Sequence, residues 1–232
     1  MTGTRGWAMR QLSSMSLLFA IVAGAVAQTI PATEAAQTCF GKPATIADHT
    51  GSIDGTVGND VIVGDAGDNE IDGQGGVDRI CGGDGDDEIV AGGPGTDPTD
   101  SLRAKGGAGA DTITGGSYAD RLYGGGGGDS LNGQYGNDRL FGDDGPDVVS
   151  GGPSNDFIDG GSGKDQLYGG GDNDELHGGP DDDRLDGGEH NDDLYGEGGD
   201  DLLIGGVDDD TFFPGGGDDL CAEETGGFVF PC

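Results

Sequence analysis

A nine-residue repeat runs through most of this chain. From position 106 to position 213 the pattern recurs twelve times without a change of register. Each unit begins with glycine, has aspartate at its sixth position and carries a large apolar residue at its eighth. A shorter block with the same pattern, GTVGNDVIV, GDAGDNEID, GQGGVDRIC and GGDGDDEIV, covers positions 55–90. A fixed period of this length predicts a stack of similar units rather than a conventional globular core.

The residue types within one unit predict its local structure. About six residues rich in Gly, Asp and Asn form a turn, because these types tolerate positive φ. The other three alternate polar, apolar and polar, which predicts a very short strand with its middle side chain turned inward. Two units then make one coil, and successive coils stack as parallel strands about 4.8 Å apart. The predicted fold class is therefore all-β, a parallel β-roll (solenoid).

The sixth-position side chains carry the chemistry of the repeat. Stacking places them in columns along both edges of the roll, where like carboxylates about 4.8 Å apart repel by about 3.5 kcal/mol per pair. The columns therefore need cations, and a hard cation suits carboxylate and backbone carbonyl oxygens. We predict several Ca²⁺ ions with these ligands: Asp60, Asn69, Asp78, Asp87, Asp111, Asp120, Asp129, Asp138, Asp147, Asp156, Asp165, Asp174, Asp183, Asp192, Asp201 and Asp210.

Several units match a known nonapeptide at every defined position. GGDGDDEIV, GGAGADTIT and GGSGKDQLY fit G-G-x-G-x-D-x-U-x. In this respect the chain resembles the RTX, or hemolysin-type, calcium-binding repeats. The resemblance implies a β-roll in which each calcium lies between one turn and the turn two units later, as between Asp111 and Asp129. It implies about ten ions in the long block and about two in the short block.

Some units depart from glycine at the fourth position. The residues there are Tyr118, Ser154, Asp172, Asp181, His190 and Asp208. Asp and His are enriched at positive φ among non-glycine residues, so we expect the four units that carry them to keep the turn. We expect weaker calcium sites at Tyr118 and Ser154, which lack this tolerance, and at Asn69, which lacks a charge.

Composition narrows the function classes. The chain has 54 Gly and 45 acidic residues against 10 basic ones, with a formal net charge of −35. Such a composition indicates disorder, and we expect disorder without metal. A permanently disordered linker would not keep an apolar residue at the eighth position of every unit. The acidic excess predicts that the chain does not bind nucleic acid or anionic membranes.

Residues 1–27 do not belong to the repeat. Two arginines precede an apolar stretch at positions 17–27, which ends in the small residues Ala25-Val26-Ala27. This pattern predicts a cleaved secretory signal peptide, a secreted, extracellular protein and no membrane span after cleavage. An uncleaved membrane anchor is the alternative. Weak extracellular modules fill near millimolar calcium, so export and folding are expected to coincide.

The remaining chain contains four cysteines, and an even number in an exported protein favours disulfides. We predict the pairs Cys39–Cys81 and Cys221–Cys232, each local to one end of the roll. Residues 28–54 and 214–232 are predicted to be N-terminal and C-terminal caps, because the sequence around Cys221 breaks the register. The roll is thus predicted to have disulfide-bonded end caps. A redox or metal-binding thiol pair is the alternative, although the chain has no C-x-x-C.

The segment AGGPGTDPTDSLRAK at positions 91–105 separates the two blocks. Gly92-Gly93 opens it like a unit, and Asp100-Ser101-Leu102 closes it like one. We predict a bulged unit with Leu102 at the eighth position, and one continuous roll over 55–213. A Pro/Gly-rich domain linker is the alternative.

Side chains at the seventh and ninth positions of alternate units share one outward face. The possible binding face comprises Arg121, Tyr123, Arg139, Phe141, Tyr195 and Phe213. Exposed aromatic rings flanked by arginine suit a glycan or protein partner. The alternative is that these side chains only support neighbouring strands.

No motif predicts catalysis. The chain has no H-E-x-x-H and no G-x-S-x-G, and its three histidines are scattered. We predict a secreted calcium-binding repeat protein that folds on binding Ca²⁺ and acts as an extracellular structural or adhesive module. The alternative is a repeat portion that assists a separate secreted enzyme or toxin. An ice-binding surface would need threonine ladders, which only Thr112 and Thr114 approach in the long block.

Overall fold

A computed structural model describes residues 38–47, 51–92, 102–223 and 230–232. Every regular element in these residues is a β-strand. The predicted signal peptide, positions 28–37, the middle of the bulged unit and positions 224–229 lie outside the described residues. The described part contains no helix of the length and apolarity that a membrane crossing requires.

Two large sheets form the two faces of the molecule, and a short hairpin lies beside them. The hairpin consists of β1 (Thr38–Cys39) and β2 (Lys42–Pro43). The ten-stranded sheet contains β3 (Ile46–Ala47), β5 (Val61–Val63), β7 (Arg79–Asp84), β9 (Arg103–Ala108), β11 (Arg121–Gly126), β13 (Arg139–Asp144), β15 (Phe157–Ser162), β17 (Glu175–Gly179), β19 (Asp193–Glu197) and β21 (Thr211–Phe213). The eleven-stranded sheet contains β4 (Ser52–Asp54), β6 (Glu70–Asp72), β8 (Glu88–Val90), β10 (Thr112–Gly116), β12 (Ser130–Gln134), β14 (Val148–Pro153), β16 (Gln166–Gly171), β18 (Arg184–Glu189), β20 (Leu202–Val207), β22 (Leu220–Ala222) and β23 (Phe230–Pro231).

Consecutive strands from β3 to β22 alternate between the two sheets, and neighbours within a sheet are parallel. Leu122 lies opposite Leu140, and Leu140 lies opposite Ile158, so one coil corresponds to two repeat units. The predicted parallel β-roll of nonapeptide repeats is confirmed.

The core is a single file of eighth-position side chains between the sheets. Alternation along each strand turns the eighth position and the glycine two residues later inward, so every coil adds two apolar side chains to the file. Burial of each large side chain contributes about 1.5–3 kcal/mol. The file comprises Ile53, Ile62, Ile71, Ile80, Ile89, Ala104, Ile113, Leu122, Leu131, Leu140, Val149, Ile158, Leu167, Leu176, Leu185, Leu194, Leu203 and Cys221.

The strands on either side of the bulged unit are paired, so the sheets continue across it. Arg79 on β7 lies opposite Arg103 on β9. The sequence separation of this pair is 24 residues, as for Asp87 and Asp111, whereas paired residues within either repeat block are 18 apart. Ala104, and not Leu102, lies opposite Ile80, so the prediction that Leu102 holds the eighth position is wrong. Leu102 instead stands at the sixth position, where its N–H donates to Asp120 Oδ1. The strand pairing of β9 sets this register, and the small Ala104 leaves room in the core for buried Leu102.

The N-terminal region contributes one further coil and a cover on one face. Ile46 on β3 lies opposite Ile62, and Ile53 on β4 lies opposite Ile71. The β1–β2 hairpin packs on the outer face of the ten-stranded sheet, against Val61. The Cys39–Cys81 disulfide holds it there, as the sequence predicted.

The C-terminal region also continues the roll. Residues 214–222 form another unit, because Cys221 lies opposite Leu203 in the core. The prediction that the register breaks before Cys221 is wrong, because a disulfide-bonded cysteine is apolar enough for the eighth position. β23 then pairs antiparallel with β22, and the predicted Cys221–Cys232 disulfide closes this end.

Candidate calcium-binding edges

In most units the sixth-position aspartate folds back over the first glycine of its own unit. A Cβ atom on Gly178 would lie 2.6 Å from Asp183 Oδ2 and 3.0 Å from the carbonyl oxygen of Gly196. The same crowding recurs at Gly169, with Asp174 Oδ2 and the Gly187 carbonyl oxygen each at 2.5 Å. These units therefore need glycine at the first position, because carboxylate and carbonyl oxygens occupy the space of a side chain.

One oxygen of each carboxylate links successive coils. The N–H of Asp111 donates to Asp129 Oδ1 at 2.8 Å, and the N–H of Asp120 donates to Asp138 Oδ1 at 2.7 Å. Equivalent bonds continue along both edges, so the structure places the predicted residues in two columns. Charge-assisted bonds of this kind are among the stronger hydrogen bonds in proteins.

The other oxygen of most of these carboxylates is buried without a hydrogen-bond partner. A buried carboxylate oxygen without a partner is costly, because water no longer solvates it. These oxygens belong to Asp87, Asp111, Asp120, Asp129, Asp138, Asp147, Asp156, Asp165, Asp174, Asp183, Asp192, Asp201 and Asp210. A cation between coils would satisfy them.

Burial also raises the pKa values of these carboxyl groups. Desolvation, together with the charges of Asp156 and Asp120 on the same edge, raises the pKa of Asp138 to about 8. Desolvation likewise raises the pKa of Asp174 to about 8 and that of Asp129 to about 6. Among the described residues, no basic side chain offsets the raised pKa of these three carboxyl groups, which is the electrostatic condition expected of metal ligands.

Backbone carbonyl oxygens complete the donor set. The carbonyl oxygens of Gly107 and Gly109 point at the glycines one coil later, Gly125 and Gly127, which have positive φ. No three His, Cys, Asp or Glu side chains converge as a metal centre in the described part of the chain. A cation here would therefore be held by carboxylates together with carbonyl oxygens. This all-oxygen set fits calcium and does not suit zinc or copper.

Three positions differ from the rest. Asp60 Oδ2 already accepts hydrogen bonds from the N–H and hydroxyl of Thr56, at 2.7 and 2.8 Å. Asn69 Oδ1 accepts from Asp65 N–H at 2.9 Å, so its amide holds the column without a charge. Leu102 interrupts the edge that contains Asp78 and Asp120, where it offers no carboxylate.

The edges also extend further than predicted. The N–H of Asp87 donates to Asp111 Oδ1 at 2.8 Å, so one edge is continuous across the bulged unit. The N–H of Asp201 donates to Asp219 Oδ1 at 3.0 Å, which adds a carboxylate that the sequence analysis missed. The segment PGGGDDLCA contains the signal, since only its first and eighth residues depart from the repeat.

The fourth-position residues behave partly as expected. Asp172, His190 and Asp208 have positive φ values of 72°, 78° and 82°. Ser154 also does, at 95°, whereas Asp181 does not. The hydrogen-bonded stack therefore forces Ser154 into a conformation that its residue type does not favour. The weaker calcium sites at Tyr118, Ser154 and Asn69 remain predictions.

The residues of the possible binding face lie together on the outer surface of the ten-stranded sheet. Tyr123 and Phe141 stack with ring centroids 4.9 Å apart, and Tyr195 and Phe213 stack at 4.3 Å. Phe157 and His177, which the prediction did not include, connect these pairs into one aromatic ladder. Arg121 and Arg139 lie opposite each other on β11 and β13.

Protons and calcium are expected to compete for the aspartate columns. The pKa of Asp138 in the calcium-free fold, about 8, lies above its ordinary value of 3.8, so between these values the fold binds more protons than the unfolded chain. The free energy of unfolding without calcium is therefore highest at the acidic end of this window and falls as pH rises. Conversely, the half-saturating calcium concentration should rise as pH falls from about 8 to about 5.

Calcium titrations at about pH 5 and about pH 8 measure the calcium affinity, and circular dichroism in metal-free buffer at the same two pH values measures the folded fraction of the calcium-free chain. Asp144 is exposed and provides the control, because its replacement by asparagine should leave both trends unchanged. A calcium affinity independent of pH would contradict the expected competition.

Comparison with known families agrees with this geometry. The model of the RTX calcium-binding nonapeptide repeat, which represents four copies, matches more than half of the chain. The matched residues are 54–89, 105–140, 132–167, 159–194, 168–203 and 186–221. No curated protein matches the chain. The glycine turns, the inward apolar file and the paired aspartate columns are the structural form of this repeat, and the chain belongs to the RTX calcium-binding repeat family.

Proposed function

We propose that this protein is a secreted calcium-binding module that folds when it binds Ca²⁺ and acts outside the cell as a structural or adhesive element. The observation that supports the proposal is the two columns of aspartates, most of which have a buried carboxylate oxygen without a hydrogen-bond partner. Calcium would bridge these oxygens to the carbonyl oxygens of the neighbouring coil. The metal supplies the positive charge that the buried columns lack.

Several features support a role based on binding rather than catalysis. The roll takes up nearly all of the described residues, and its two edges have the chemistry of cation sites. Disulfides at both ends suit an oxidising, extracellular environment. The pattern at positions 1–27 supports export by a cleaved leader.

One experiment tests location and calcium binding together. The full chain is expressed in a secreting host, and the protein in the medium is sequenced from its N-terminus and titrated with calcium by calorimetry. We expect a chain that begins at Gln28 and binds several calcium ions, with much weaker binding of magnesium. A protein that stays in the cells with residues 1–27 attached would overturn the proposed secretion.

A matched pair of variants tests the site itself. Asp138 Oδ1 accepts a hydrogen bond from the N–H of Asp120 in the preceding coil, and the N–H of Asp138 donates to Asp156 Oδ1 in the following coil. Asp138→Asn therefore removes one carboxylate charge that is next to both neighbouring coils. We expect it to lower the number of bound calcium ions by one or two, or to weaken them by about tenfold or more. The exposed Asp144→Asn carries the same change in charge and should bind calcium like the unmodified protein. Equal titrations for both variants would place the ions elsewhere.

A further inference from the structure

The outer face of the ten-stranded sheet is only partly covered. The β1–β2 hairpin packs against Val61 and Val63 at one end of this face, and Phe40 reaches the ring of Tyr123 at 5.9 Å. Apart from this Phe40 contact on β11, no element of the described residues packs on the outer side of the seven strands from β9 to β21. We call the outer surface of these seven strands the open face. Its middle strand is β15.

Charge on the open face changes sign at its middle strand. The seventh-position column runs in register through Arg103, Arg121, Arg139, Phe157, Glu175, Asp193 and Thr211. The side chains before Phe157 are basic, and the two that follow it are acidic. Arg139 and Glu175 each lie one strand away from Phe157, on opposite sides of it. Arg121 and Asp193 each lie two strands away, again on opposite sides.

The arginines of this column have no carboxylate partners among the described residues. The ion pairs of the described residues involve Lys164, His177 and Arg184 instead, and one of them joins His177 Nε2 to Glu175 Oε1 at 3.0 Å on the acidic half of the open face. Like charges directly opposite each other on adjacent strands are destabilising. Arg139 does lie over the ring of Phe157, at 5.7 Å from its centroid. In a chain with 45 acidic and only 10 basic residues, arginines aligned without acidic partners indicate that an anionic surface covers them.

We propose that the open face is the interface of a symmetric dimer, in which two copies of this chain pack face to face with antiparallel roll axes. A two-fold axis along the strand direction at β15 reverses the strand order of the second copy. Arg139 then meets Glu175 of the second copy, and Arg121 meets Asp193 of the second copy. Because a two-fold interface is self-complementary, each pair occurs twice.

The ninth-position column fits the same axis. This column runs through Lys105, Tyr123, Phe141, Asp159, His177, Tyr195 and Phe213. Tyr123 meets Tyr195 of the second copy, and Phe141 meets His177 of the second copy, so the two aromatic ladders cover each other. Asp159 meets its own counterpart on the axis. This is the one like-charge contact of the two columns, and His177 lies opposite Asp159 on the next strand.

The size of the open face is sufficient for a specific but modest interface. Seven strands about 4.8 Å apart, of three to six residues each and about five on average at about 3.3 Å, give about 30 Å by about 17 Å. Two such faces bury about 1,000 Å² in total, the smallest area expected of a specific interface. The net charge of −35 opposes association of two copies, and bound calcium reduces that repulsion. Dimerisation is therefore expected in the calcium-bound state.

Sedimentation velocity of the secreted, oxidised protein in millimolar calcium tests the dimer by charge exchange. The unmodified protein should dimerise at micromolar concentration. The double variant Arg121→Glu/Arg139→Glu places acid against acid, and Glu175→Arg/Asp193→Arg places base against base. Each alone should weaken the dimer about tenfold or more. An equimolar mixture of the two should restore a dimer, because each reversed face then meets its opposite.

Controls separate the interface from folding. Each variant should keep the calcium-dependent circular dichroism of the unmodified protein. Ser130→Glu/Gln166→Glu introduces charge at seventh positions of the other sheet, on two strands that are not adjacent, and should leave the dimer unchanged. A monomer at all concentrations, or variants that fail to pair when mixed, would overturn the proposal. So would a monomer that binds polygalacturonate through Arg121 and Arg139, since an outside polyanion would then be the occupant.

Discussion

Removal of calcium is expected to abolish the β-structure of this protein. The buried carboxyl groups of the described residues must then either stay charged without a partner or take up protons, and both alternatives cost free energy near neutral pH. Each filled site contributes about 2.7 kcal/mol when free calcium is about a hundred times its dissociation constant. Several such sites together exceed the total stability of a typical domain, about 5–15 kcal/mol. The metal-free chain should therefore be largely unfolded at neutral pH.

Far-ultraviolet circular dichroism of the oxidised protein during a calcium titration measures this effect. We expect a disordered spectrum in chelator that becomes a β spectrum near millimolar calcium, with magnesium as the control that does not restore it. Reduction of the two disulfides should raise the calcium concentration required, because the unfolded chain then gains conformational entropy. A β spectrum that persists in chelator would show that the core and the disulfides hold the stack without metal.

Gly169→Ala should be strongly destabilising, although it adds a single methyl group. The new Cβ would lie 2.5 Å from Asp174 Oδ2 and 2.5 Å from the Gly187 carbonyl oxygen. To relieve the overlap, either the carboxylate must leave its column or two coils must separate. We expect a loss of about 2–4 kcal/mol in the free energy of unfolding and weaker calcium binding.

Gly171→Ala is the matched control for this prediction. Gly171 lies two residues further along the same unit, has no heavy atom within 4 Å of its added Cβ and does not need positive φ. Its free energy of unfolding should change by no more than about 0.5 kcal/mol. Thermal denaturation in calcium compares the two variants. Equal midpoints would mean that the first-position glycines are not required by the carboxylates.

The sequence predicted the architecture because the repeat encodes its own local structure. Nine residues are enough to specify the glycine with positive φ, the aspartate over the first glycine and the one inward apolar residue. Every coil repeats these local features, so the parallel roll and the two aspartate columns could be predicted from the spacing alone. The disulfide pairs were predictable because each joins residues local to one end.

Elsewhere the local pattern was misleading. Leu102 fitted an eighth position by its type, yet pairing of β9 with β7 gives that position to Ala104. Asp219 was missed because its unit has Pro214 in place of glycine and Cys221 in place of a large apolar residue. The pairing of β22 with β20 nevertheless keeps this unit in register. In both cases hydrogen bonds between strands distant in sequence outweighed residue type.

Sequence alone determined that this chain is a calcium-binding β-roll, since a nine-residue period can bury its apolar side chains only by stacking. Tertiary structure decided which oxygens remain for a cation, because backbone N–H groups one coil earlier occupy Oδ1 and leave Oδ2. It also decided that the hairpin lies across one sheet and, apart from the contact of Phe40 with Tyr123, leaves the outer side of seven strands uncovered within the described residues. Both outcomes depend on contacts between coils, which no single repeat contains.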